Sequence, residues 1–88
     1  MDYLQTDPDI DPTKVAVIGH SRGGKTALWA GARDTRFAAA ISNDSGSTGA
    51  KLARRADAGS GAQTVAGSNN SFLHWDPPTY KAYNNRVR

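Results

Sequence analysis

The chain has 88 residues, no cysteine, one methionine and a formal net charge of +3. The lack of thiols excludes a disulfide framework and thiolate metal sites. Eleven Lys and Arg against eight Asp and Glu describe a solvated surface rather than a nucleic-acid footprint, and Arg54, Arg55, Arg86 and Arg88 are the only basic concentrations. No apolar run approaches the roughly 18 residues that span a bilayer, so no membrane partner is expected. Met1-Asp2-Tyr3-Leu4 lacks the apolar core of a signal peptide.

Met1 to about Gln5 reads as the last turn of a helix. Asp7-Pro8 and Asp11-Pro12 punctuate the loop that follows, because a residue before proline is pushed out of the helical region. Asp7, Asp9 and Asp11 alternate as in a calcium loop, but Pro12 replaces the required glycine and Ile18 the required glutamate. An acidic turn is expected there, with no metal. Lys14 to Gly19 reads as a short buried strand built on Val15-Ala16-Val17-Ile18. Arg22 to about Arg33 reads as a helix. Its Gly24, Ala27, Leu28 and Gly31 recur at i, i+3, i+4, i+7, a small-residue face suited to lying close on a sheet. Trp29 shares another face with Lys25 and Arg33 and is expected to pack in a core.

Asp34-Thr35-Arg36 closes that helix, and Phe37 to Ile41 makes a second apolar run of strand length. Ser42-Asn43-Asp44-Ser45-Gly46 then supplies turn residues. Ser47 to Asn70 is rich in Gly, Ala, Ser and Thr, with weak periodicity around Ala50 to Arg55, and reads as loop with one or two short helices. Phe72-Leu73-His74-Trp75 restores aromatic character before Asp76-Pro77-Pro78, after which Thr79 would cap a helix through Tyr80 and Tyr83.

Two strands joined by one helix place the chain in the α/β class as part of a doubly wound parallel sheet. Such sheets usually take well over about 100 residues, and parallel strands are buried on both faces. Residues 1–88 are therefore expected to be a partial domain, lacking N-terminal strands and a C-terminal part, that folds poorly alone.

Two chemistries fit the joint between strand and helix. Gly19-His20-Ser21-Arg22-Gly23 matches the Gly-x-Ser-x-Gly nucleophile elbow of α/β-hydrolases. There Ser21 would project from a strained turn, glycines on either side would let strand and helix approach, and the Arg22 N–H would point at an oxyanion. Gly19 through Thr26 also matches the Gly-x-x-x-x-Gly-Lys-Thr phosphate loop of nucleotide-binding proteins, with Lys25 on the phosphates and Thr26 on magnesium. The bulky Ser21-Arg22 pair inside the wrap counts against that alternative. A hydrolase further needs an acid and a histidine. Asp44 suits the acid because it follows the next strand; Asp34 competes but closes the helix. His20 lies inside the elbow and His74 in the aromatic loop, so the base is either His74 or a histidine beyond Arg88. In the latter case the 88 residues alone are a non-catalytic, truncated chain.

The run from Gly19 to Ala32, then Asp34-x-Arg36-Phe37, Ile41-Ser42-Asn43-Asp44-Ser45-Gly46, Leu52-x-Arg54-Arg55 and Phe72-x-His74-Trp75, resembles the bacterial glucuronoyl esterases of carbohydrate esterase family 15. The resemblance implies an α/β-hydrolase fold and a serine esterase that cleaves esters between glucuronoyl groups on xylan and lignin alcohols through an acyl-enzyme. It implies Ser21 as nucleophile, Arg22 as oxyanion stabiliser through backbone and side chain, and Lys25 as a contact for sugar hydroxyls. Asp44 falls where many members carry their acid, commonly glutamate, while others place it later. The family histidine lies far downstream. His74 and Trp75 are the substrate-binding candidates of the aromatic loop. No cofactor is implied, the partner is a small-molecule or polysaccharide ester, and members usually act in the periplasm or outside the cell. Ala62-Gln63 and Ser47-Thr48-Gly49 depart from the family pattern.

Overall fold

The computed structural model of the chain describes residues 1–52 and 63–84, in two compact units, Met1–Ser45 and Gly46–Arg88. Arg54, Arg55, Ala62, Arg86, Arg88 and the second half of the Ala50 to Arg55 periodicity lie outside the described residues.

In the first unit a short helix, α1 (Asp2–Thr6), precedes a 3-10 turn at Pro12–Lys14. Asp7 and Asp11 accept hydrogen bonds from within that loop. Asp7 Oδ1 accepts from the Asp9 N–H at 3.0 Å, and Asp11 Oδ1 accepts from the Thr13 N–H at 3.0 Å and its hydroxyl at 2.6 Å. Strand β1 is Ala16–His20, helix α2 is Arg22–Arg33 and strand β2 is Ala39–Asn43. The strands pair in parallel, from Ala16 opposite Ala39 to His20 opposite Asn43. A parallel pair joined by one helix is the expected α/β unit.

Both strands sit later than their apolar runs suggest. Lys14 is consumed by the 3-10 turn, so β1 starts at Ala16 and ends at His20 rather than Gly19. Phe37 is held in a turn by its N–H to the Asp34 carbonyl, and pairing begins when the Ala38 N–H reaches the Val15 carbonyl at 2.8 Å. From that anchor the register carries Ser42 and Asn43 into β2, although both were expected in the turn.

Helix α2 lies against the β-face that carries Gly19, Ala40 and Ser42. A Cβ on Gly31 would stand 2.5 Å from the Ala40 Cβ, and the Ser42 hydroxyl donates to the Gly24 carbonyl at 2.9 Å. Gly24 and Ala27 are buried in this contact, as the small-residue spacing foretells, whereas Leu28 of the same spacing is 38% exposed. The alternate positions, including Ile18 and Ile41, belong to the other face and are exposed among the described residues. Trp29 departs from expectation. It is 68% exposed, with the Arg33 guanidinium 5.8 Å from its ring centroid, a surface cation–π pair rather than core packing.

Arg36 gathers the lower end of the unit. Its Nε and Nη2 donate to the two Asp34 carboxylate oxygens at 2.8 and 2.6 Å, and Nη1 donates to Asp2 Oδ1 and Gln5 Oε1 at 2.7 and 2.8 Å. One guanidinium thereby ties α1 to the α2–β2 connection.

In the second unit, α3 (Val65–Ser71) starts at Thr64, whose hydroxyl accepts from the Gly67 N–H at 2.9 Å. A 3-10 segment, Pro78–Tyr83, begins one residue before Thr79. Thr79 therefore lies inside its first turn and does not cap it, because Pro77-Pro78 already presets the entry. Buried Asn69 joins the two segments, its amide donating to Asn84 Oδ1 at 2.6 Å. Phe72 and Trp75 stack with ring centroids 3.9 Å apart, and His74 stands edge-on to Trp75 at 6.1 Å.

Candidate active site

Only Ser21 separates the end of β1 from the start of α2, so the chain must reverse within a single residue. Ser21 does so at φ 54°, ψ −122°, a left-handed conformation that costs a non-glycine residue about 1–3 kcal/mol. The surroundings hold it there. Its N–H extends the sheet ladder to the Asn43 carbonyl at 3.0 Å, and its carbonyl accepts from the Gly24 and Lys25 N–H groups at 2.9 and 3.2 Å. Glycine is required beside it at two positions. A Cβ on Gly19 would stand 2.0 Å from the Gly23 carbonyl oxygen, and one on Gly24 would stand 2.9 Å from the Asn43 carbonyl oxygen. Gly23, the second glycine of the five-residue pattern, would meet nothing within 4 Å. The close approach expected of Gly23 is thus met by Gly24.

The exposed Ser21 hydroxyl sits at the N-terminus of a 12-residue helix. The first N–H groups of a helix have no intrahelical acceptor and carry its positive end. The Arg22 amide, immediately after Ser21, is such a donor, and the Arg22 side chain is exposed beside it. A hydroxyl on a strained joint, next to unpaired N–H donors, has the geometry for attack on a carbonyl whose oxyanion those donors would stabilise.

A phosphate loop is not what these residues build. That cradle needs several consecutive loop amides, yet Gly19 and His20 are in the ladder and Arg22 to Thr26 are in the helix. Lys25 Nζ donates to the Ser45 carbonyl, and the Thr26 hydroxyl donates to the Arg22 carbonyl at 3.1 Å.

Asp44 lies one step past the last strand pair, as Ser21 does, so the two occupy equivalent places on strands about 5 Å apart. Asp44 is exposed and also left-handed, at φ 46°. Asp34 is at the other end of α2, about 18 Å away at ~1.5 Å per helical residue. The hydrogen bonds and charge of Arg36 hold its carboxyl down to about 2. Asp34 is therefore removed from the site by position and partner. His20 is engaged across the strand pair. Its Nδ1 lies 3.1 Å from Asn43 Nδ2, so the amide donates to the imidazole. His74 and Trp75 belong to the second unit, in the aromatic cluster described above.

The sequence patterns placed Gly24 on the small-residue face of α2 but did not single out its contact with Ser42 or the bond from Lys25 to Ser45, which join the first turn of α2 to the end of β2. The small residue at position 24 was the one available signal.

A family model described as glucuronyl esterase of fungi matches residues 1–88. The chain is 56% identical over 86 residues to a carbohydrate esterase from an unknown prokaryotic organism, covering 98% of this chain and 19% of that protein. It is 36% identical over 87 residues to a 4-O-methyl-glucuronoyl methylesterase of Neurospora crassa, covering 94% of this chain and 22% of that one. Among solved structures, a promiscuous CE15 esterase from a marine bacterial metagenome superposes with TM-score 0.81 at 53% identity, over 98% of this chain and 21% of that chain. A glucuronoyl esterase from Solibacter usitatus superposes with TM-score 0.73 at 42% identity, over 99% of this chain and 21% of that chain. The chain thus spans about a fifth of the length of these relatives.

Proposed function

This chain belongs to the glucuronyl esterase family, and from that membership we propose that it carries the nucleophile, oxyanion donor and acid of a serine carboxylic-ester hydrolase. The observation that carries the proposal is the left-handed Ser21, alone between β1 and α2. Ser21 Oγ attacks the ester carbonyl, and its proton passes to a histidine outside the Met1–Ser45 unit. The Arg22 amide and guanidinium hold the oxyanion; the guanidinium stays protonated and takes no part in proton transfer. The alcohol departs with the proton from the histidine, and water then releases the acyl group by the same steps in reverse order. Asp44 orients the histidine.

The substrate class follows the names of the relatives: a 4-O-methyl-glucuronoyl ester, with Lys25 on the sugar hydroxyls. Esters of plant cell-wall xylan with lignin alcohols are of this class, and a protein acting on them works outside the cytoplasm. The deciding experiment is Ser21→Ala in the protein as its gene encodes it, assayed on benzyl glucuronate. Turnover should fall on the order of 10⁴-fold or more. Undiminished turnover would refute the nucleophile.

A further inference from the structure

The acid turn is fastened on both sides of Asp44. Before it, the Asn43 carbonyl accepts from the N–H of Ser21. After it, the carbonyl of Ser45, a residue only 4% exposed, accepts from Lys25 Nζ. Both donors belong to the elbow and the first turn of α2. Between the two fastenings stands a non-glycine residue in the left-handed region, a conformation that persists only where its surroundings impose it.

We infer that Lys25 is a positioning residue: through Ser45 it locks the turn that presents Asp44, and so sets the acid relative to Ser21. The inference rests on the esterase reading above and adds to Lys25 a role independent of the sugar. An ammonium group has three donors, so the bond to Ser45 is compatible with a second one to a substrate hydroxyl. The two roles separate by substrate. A sugar contact matters only to a glucuronate ester, whereas a lock on the acid matters to every ester the site can hydrolyse.

The test uses Lys25→Met, Lys25→Arg, Asp44→Asn and Lys25→Met/Asp44→Asn in the protein as its gene encodes it. Each is assayed on benzyl glucuronate and on p-nitrophenyl acetate, which has no sugar. Misplacing a catalytic group by about 1 Å can cost on the order of 100-fold. Lys25→Met should therefore lower kcat about 10- to 100-fold on both esters, with KM for p-nitrophenyl acetate unchanged. Lys25→Arg, which still donates, should recover part of the loss. In the Asp44→Asn background the same lysine change should cost less than about 3-fold, because the group being positioned is gone.

A loss confined to the glucuronate ester and expressed in KM would overturn the inference, as would losses that multiply fully in the double variant. Those outcomes would leave the esterase reading intact. Activity that survives Ser21→Ala would instead sink that reading.

Discussion

Gly31 offers the sharpest test of how α2 rests on the sheet. A Cβ there would lie 2.5 Å from the Ala40 Cβ, against a carbon–carbon optimum of about 3.5–4.0 Å. Gly31→Ala must therefore force helix and strand apart by about 1.0–1.5 Å at that point. Such overpacking costs about 1–3 kcal/mol, while alanine in a helix returns about 1 kcal/mol over glycine. The net is a destabilisation of about 1 kcal/mol. Ala40→Gly alone costs about 0.5–1 kcal/mol through strand entropy. Combined with Gly31→Ala, it moves the methyl group from strand to helix and removes the clash, so the double variant should return close to the parent. The coupling between the two sites is then about 2 kcal/mol, within the range of contacting pairs. Urea unfolding midpoints of the four proteins measure it. Gly23→Ala is the control, since its Cβ meets nothing, and it should gain up to about 1 kcal/mol. A Gly31→Ala protein as stable as Gly23→Ala, or a double variant no better than the sum of the singles, would refute the packing described.

The acid limb of stability should depend on Asp34. Its folded pKa of about 2 lies below the ordinary 3.8, so its stabilising effect is fully present above pH 3.8 and is lost as the pH falls toward 2. Asp34→Asn should flatten the dependence of stability on pH across that window, and an unchanged acid titration would disprove it. Thr64→Ala removes the hydroxyl that caps α3 and should cost about 1 kcal/mol. Faster amide exchange confined to the first turn of α3 is the signature, and equal protection in both proteins would count against it.

Helix α2 is legible in the sequence at both ends because local chemistry marks them: the Gly-x-Ser-x-Gly turn at one, Asp34-Thr35-Arg36 at the other. The strands are less so. Apolar runs show which residues could be buried, but the register is fixed by a distant pair, the Ala38 N–H and the Val15 carbonyl. That anchor displaces β2 by two residues and recruits polar Ser42 and Asn43. The five-residue pattern places Ser21 at the joint of strand and helix, where it lies, but misassigns a glycine, because Gly24 meets the end of β2 only in three dimensions. The two readings of Gly19 to Thr26 differ in the length of the joint, which spacing does not encode; one intervening residue leaves no phosphate cradle. The clasp from Lys25 to the turn after Asp44 joins residues 20 positions apart and has no local signature at all.

Ser21 and Asp44 are both non-glycine residues held left-handed on neighbouring strand ends. At either position glycine would relax the backbone, and at either it would delete a side chain that the proposed chemistry needs. Selection for heat resistance alone would therefore push both sites toward inactive sequences, so a stability screen of this domain has to be coupled to turnover or it will enrich for loss of function.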